Sequence, residues 1–126
     1  MPVPPDPIAR IRAFCAAWSH RDAAELGAYF AAGAIYHNVP MEPVSGADAI
    51  RAWLERFFVQ CSSAEFELRH IAAAGEVVMT ERIDRFVIAG RRIDLPVAGV
   101  FELRDGQIVA WRDYFDLATW TRQATD

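Results

Sequence analysis

The chain has 126 residues, of which 53% are hydrophobic and 24% charged, with a net charge of −4. A chain of this length supports one core, so a single domain spanning 1–126 is expected, and its apolar content is that of a folded chain able to bury a sizeable core. The basic residues are scattered, at Arg10, Arg12, Arg51, Arg56 and Arg104 among others, and without a basic patch neither nucleic acid nor an anionic membrane is an expected partner.

Taken in order, Met1–Pro7 shows no charged leader and no apolar segment. No later run approaches the ~18 apolar residues of a membrane span, so a cytoplasmic location is expected. Asp6-Pro7 is an N-cap and first-turn signal, and Ile8, Ile11, Cys15 and Trp18 recur at helical spacing, predicting a helix over about 7–20. Asp22 with Glu25 three residues on resembles a capping box. Leu26, Tyr29 and Phe30 then supply an apolar face, and Gly33 is the expected stop. Cys15 and Cys61 match no metal spacing and read as small buried thiols.

A short strand is predicted over 34–38, placing Tyr36 and Asn38 on one face and His37 on the other. The prolines and glycine of 39–46 exclude regular structure, and a third helix over 47–59 carries the apolar stripe Ile50, Trp53, Leu54, Phe57 and Phe58. From Ser63 the period changes to two. Strands are expected over 64–73, 77–88, 91–103 and 107–115, with turns at Gly75-Glu76, Ala89-Gly90 and Arg104-Asp105-Gly106. Pro96 within the third of these implies a bulge, a bend or a locally unpaired N–H, and Asp116 caps a short helix through about 123. Helices followed by an antiparallel meander describe an α+β domain whose curved sheet, closed by helices, forms a cone with an apolar interior fit for a small molecule.

The most informative stretch is Trp111-Arg112-Asp113-Tyr114-Phe115-Asp116. As a strand it puts Val109, Trp111 and Phe115 on one face with Asp113 among them, aiming a carboxylate at the core. A lone ionised carboxylate is expensive to bury, so it is paired, protonated or catalytic. Arg82 and Asp84 share one face of another strand and are the natural partners, with Tyr36 and Asn38 also pointing inward. Each has a blander reading: a solvated Arg-Asp ladder, a strand-end charge, a core tyrosine, a turn asparagine. The aromatic set Trp53, Phe57, Phe86, Trp111 and Phe115 is mainly core, with members expected to line the pocket and bind substrate, joined by Trp18, Leu54 and Phe58. His37 faces away from Tyr36 and Asn38, and His20 and His70 lack a second ligand at metal spacing, so no metal is expected.

Tyr36-His37-Asn38-Val39-Pro40, Thr80-Glu81-Arg82-Ile83-Asp84, Gly99-Val100-Phe101-Glu102-Leu103 and Trp111-Arg112-Asp113-Tyr114-Phe115-Asp116 together closely resemble the limonene-1,2-epoxide hydrolase family. That family belongs to a wider cone-shaped, NTF2-like superfamily with steroid isomerases and SnoaL-like polyketide cyclases. The resemblance implies a cofactor-free hydrolase that adds water to a small or medium apolar epoxide in one step, and a homodimer formed through the sheet. It further implies that Asp113 is the general acid, Asp84 the general base, Arg82 the bridge between them, and Tyr36 and Asn38 the holders of the water. An isomerase or cyclase would need a base and an oxyanion donor but has no evident use for an arginine between two aspartates. A non-catalytic ligand-binding module would tolerate loss of the set.

Overall fold

The computed structural model describes residues 6–125; the Met1–Pro5 part of the segment read for a leader lies outside the described residues. The elements are α1 (Pro7–Ala17), a 3-10 turn (Trp18–His20), α2 (Ala23–Gly27), β1 (Phe30–Asn38), β2 (Val44–Ser45), α3 (Ala47–Gln60), β3 (Cys61–Ala74), β4 (Val77–Ile88), β5 (Arg91–Arg104), β6 (Gln107–Tyr114) and α4 (Leu117–Ala124). Among the described residues, no helix is long and apolar enough to cross a membrane.

The helix starts follow from their caps. The Asp6 carboxylate accepts from Ile8 N–H at 3.2 Å with Pro7 in the first turn, and Asp22 accepts from Ala24 and Glu25 N–H at 3.0 and 3.1 Å. The expected long second helix does not form. It stops at Gly27, and Phe30 already begins a strand, because the backbone there finds partners on β6: Ile108 N–H donates to the Tyr29 carbonyl at 2.8 Å, and the Gln107 amide reaches the Ala28 and Phe30 carbonyls. Gly33 does not take the left-handed conformation of a helix-terminating glycine and lies within β1.

The six strands form one mixed sheet in the order β2-β1-β6-β5-β4-β3, antiparallel except for the β1–β6 pair. Two of the hairpin turns, Ala89-Gly90 and Asp105-Gly106, have positive φ at both positions, the geometry that matches strand twist. Irregular register in β3, between β5 and β6, and in β1 bends the sheet. One of these irregularities corrects the expected parity of β6. Glu102 pairs with Ala110 but Leu103 with Ile108, so Val109 is an extra residue and Ile108 takes the buried position expected for Val109. Pro96 introduces no bulge: it pairs in register with Ile83, in the part of β5 that runs past the end of β6.

The core lies between the concave face of the sheet and the helices. Its centre is Phe14, a residue outside the expected α1 stripe, fully buried and edge-on to Trp18, Tyr29, Phe30, Phe101 and Trp111 with ring centroids 5.1–6.3 Å away. Edge-to-face packing places ring hydrogens on neighbouring π faces and adds to the burial itself. Truncation of Phe14 to alanine is expected to lower stability by about 3–5 kcal/mol, whereas Val59→Ala, at a position 87% exposed, should change it by less than about 0.5 kcal/mol; urea unfolding of both variants measures the contrast.

Candidate active site

Strand β4 presents Val78, Thr80, Arg82, Asp84 and Phe86 inward in strict alternation, so the Arg82-Asp84 pair is not a solvated ladder. Arg82 has no exposed surface and Asp84 is 3% exposed. On β6, Asp113 is equally buried at 3%, flanked in register by Gly99 of β5 and Asn38 of β1. The topology brings these strands side by side, and three ionisable side chains from two strands meet.

The guanidinium of Arg82 uses every N–H it has. Nε donates to Asp84 Oδ1 at 2.9 Å, Nη2 donates to Asp84 Oδ2 and to Asp113 Oδ2 at 2.8 Å each, and Nη1 donates to Asp113 Oδ1 at 3.2 Å and to Thr80 Oγ1 at 3.0 Å. The Phe66 ring covers the guanidinium plane, 4.3 Å from its centre. Asp113 receives one more bond, from the Trp111 indole Nε1–H to Oδ1 at 2.6 Å. Nothing in the sequence marks Phe66 as part of this shell, and Thr80 and Gly99 stand there only as members of their motifs, without a role. Thr80 takes the fifth arginine proton, and its signal was only an inward-facing parity. Gly99 supplies space: a Cβ there would collide with Arg82 Nη1 and lie 2.6 Å from Asp113 Oδ1 and 2.9 Å from Thr80 Oγ1. Its φ is not left-handed, so close approach of side chains, and not backbone strain, is what demands glycine.

Asp84 and Asp113 form one patch of wall in a cavity of about 240 Å³. Trp18, Tyr36, Asn38, Trp53, Phe57, Phe86 and Phe115 line it, and Phe66, Leu95, Val97, Leu117 and Trp120 complete most of the apolar wall. Leu54 and Phe58 sit in the core and not on the cavity. Trp111 also departs from expectation: it is fully buried behind Asp113, stacked on Tyr36 with centroids 4.2 Å apart, and is not on the cavity wall. Tyr36 Oη donates to Asn38 Oδ1 at 3.1 Å, which leaves the Asn38 amide N–H₂ as its second functional end. The histidines are elsewhere: His37 bonds the Met41 carbonyl, and His20 and His70 pair at the surface with Glu25 and Glu81.

Burial sets the electrostatics. Desolvation, opposed by Arg82 and reinforced by Asp113, pushes the Asp84 carboxyl up to about 6. Desolvation also holds the Tyr36 phenol well above its ordinary range and raises the Cys15 and Cys61 thiols to about 12 and about 11, so both cysteines are inert buried groups. Arg82 keeps its charge, because the two carboxylates outweigh the desolvation that opposes it. Two carboxylates and one guanidinium would carry −1 if both acids were ionised, and a dry site favours the neutral cluster that retains one proton.

The limonene-1,2-epoxide hydrolase catalytic domain model matches residues 5–125. The chain belongs to the limonene-1,2-epoxide hydrolase family. Within reach of that family, it is 34% identical to epoxide hydrolase EphG of Mycobacterium tuberculosis over 107 residues, 85% of this chain and 71% of that protein. The solved structure of an LEH-like epoxide hydrolase of M. tuberculosis superimposes with a TM-score of 0.84 at 32% identity, covering 93% of this chain and 87% of that one. A protein of ketosteroid isomerase-like fold from Catenulispora acidiphila superimposes with a TM-score of 0.83 at 23% identity, over 96% of this chain and 93% of that one, which is a likeness of fold alone. The family member described here thus has the α+β, NTF2-like and SnoaL-like architecture.

The raised carboxyl of Asp84 makes stability depend on pH with an unusual sign. Its ordinary value is 3.8 and its folded value about 6, so the folded chain holds this proton more tightly than the unfolded chain. The stabilisation is complete below about pH 4 and is lost as pH rises through about 6. Urea unfolding across this range should show wild-type stability falling relative to Asp84→Asn by on the order of 2–3 kcal/mol; parallel curves would show that Asp84 takes up no proton on folding.

Proposed function

We propose that this chain is an epoxide hydrolase that opens a small or medium apolar epoxide to a vicinal diol in one step, without a covalent intermediate. The observation that carries the reading is one fully buried guanidinium shared by two buried carboxylates on the wall of an aromatic-lined cavity, next to the Tyr36-Asn38 pair. Membership of the family and the two M. tuberculosis epoxide hydrolases support the reaction class.

The roles we assign to the two aspartates reverse those implied by the resemblance. Asn38 is the in-register neighbour of Asp113 across the parallel β1–β6 pair, which supports a water held by the Asn38 amide, oriented by Tyr36, giving its proton to Asp113. Three donors converge on Asp113 and two on Asp84, and Asp84 is the carboxyl pushed up by burial. Asp113 is accordingly the general base and Asp84 the general acid.

The water gives a proton to the Asp113 carboxylate while its oxygen attacks one ring carbon from the face opposite the C–O bond. That bond breaks, and the departing oxygen takes the proton of Asp84. Turnover leaves the proton on Asp113 and a charge on Asp84, and exchange through water restores the resting state as the diol leaves. The general acid and general base contribute about 10²–10⁴-fold each, and relief of ring strain drives the opening.

An isomerase or cyclase on the same fold could draw a base and a protonated oxyanion donor from such a pair, but has no evident use for a guanidinium bonded to both acids. Diol formation from a panel of apolar epoxides separates the readings. Asp113→Asn and Asp84→Asn should each lower kcat by about 10²–10⁴-fold. With Asp84 as the acid, kcat/KM should fall as pH rises past about 6. A single turnover in ¹⁸O-water should place label in the diol. Inactivity across the whole panel, full activity in either variant, or a diol oxygen drawn from an enzyme carboxylate would contradict the proposal.

A further inference from the structure

Arg82 divides its bonds evenly between the two acids, two to Asp84 and two to Asp113. The arginine alone therefore cannot decide which acid keeps the shared proton. Among the side-chain hydrogen bonds that reach the pair, the difference lies in the Trp111 indole N–H, which donates to Asp113 Oδ1 at 2.6 Å and has no counterpart on Asp84. Resting on the epoxide-hydrolase reading, we infer that Trp111 is the positioning residue that holds Asp113 as the anion and leaves the shared proton on Asp84, so fixing the direction in which protons flow during ring opening.

Three observations support a role in the proton balance and not in the cavity wall. Trp111 is fully buried and off the cavity, so it has no contact to offer a substrate. Its ring is clamped between Tyr36, at 4.2 Å and 14°, and Phe101, at 5.2 Å and 18°, which fixes the direction of the N–H. Its acceptor is the same Oδ1 that Arg82 Nη1 reaches at the longer distance of 3.2 Å, so the indole makes the shorter bond at that atom. A short donor in a dry site favours the charged form of its acceptor.

The groups facing Asp113 leave Asp84 as its proton-sharing partner. From β4 come Arg82, which stays cationic, and Asp84; from β1 comes Tyr36, whose phenol is held well above its ordinary range; from α1 comes Cys15, pushed up to about 12. None of Arg82, Tyr36 or Cys15 exchanges a proton near neutral pH.

Two measurements test this. In the wild-type chain labelled with ¹⁵N, the indole N–H signal of Trp111 should move with pH at the midpoint of the carboxylate pair, and that movement should vanish in Asp113→Asn; an indole signal that stays still overturns the inference. Trp111→Phe keeps an aromatic ring in the stack and removes the donor. Its kcat should fall by roughly tenfold, and the acid limb of its kcat/KM profile should move upward by about one pH unit. Phe101→Leu, which loosens the stack but leaves the N–H, should lower the melting temperature with the profile in place. A Trp111→Phe profile superimposable on the wild type, whatever its kcat, also overturns the inference. The indole titration needs no turnover, so it can fail while Asp113→Asn still abolishes diol formation, and it can succeed in a chain that opens no epoxide.

Discussion

A guanidinium removed from water must have each of its protons received, and the structure around Arg82 follows from that requirement. Two carboxylates and the Thr80 hydroxyl take all five donors, and Phe66 covers the plane. Each partner imposes a condition on its own strand. Asp84 and Thr80 must share the parity of Arg82 on β4, Asp113 must face inward from β6, and position 99 must carry no side chain. Deletion of one carboxylate would leave a buried cation half-paired, at a cost of about 3–5 kcal/mol.

The same arrangement prepares the cavity for acid and base work. Its wall is largely apolar and aromatic, with Gln60 the one polar residue outside the group of Asp84, Asp113, Tyr36 and Asn38, so among the lining residues the carboxyl groups are confined to that group, in a medium where electrostatic interactions are strong. The fold does not dictate this. A chain 23% identical takes the same architecture with a TM-score of 0.83, and closely similar backbones are found in SnoaL-like and NTF2-like structures. Function resides in which side chains the concave face of the sheet carries.

Where local chemistry decided the structure, the sequence was readable. The Asp6 and Asp22 caps, the glycine turns at 90 and 106 and the alternation along β4 and β5 place most elements to within a residue or two. The long-range decisions were not readable. Residues 28–30 look helical until β6 offers partners to their carbonyls, Phe14 becomes the centre of the core only when β1, β5, β6, the 3-10 turn and Tyr29 converge on it, and an extra residue at Val109 shifts parity within β6. In the site, Arg82, Asp84 and Asp113 stood out because charge on a core-facing parity is conspicuous. Thr80 and Gly99 carry no such mark, since a threonine and a glycine in strands are ordinary until the guanidinium is in place between them. Trp111 looked like wall for the same reason: an aromatic beside a carboxylate does not reveal that its N–H points at the acid.

The central claim is that Asp84, Arg82 and Asp113 share one proton and that Asp84 holds it at rest. Carbon-13 NMR of chains labelled at the aspartate carboxyl carbon, with Asp84→Asn and Asp113→Asn for assignment, reads it directly. At about pH 5, below the folded value of about 6, the account predicts a protonated carboxyl signal for Asp84 and a carboxylate signal for Asp113. Two carboxylate signals at that pH, or the proton on Asp113, would contradict it.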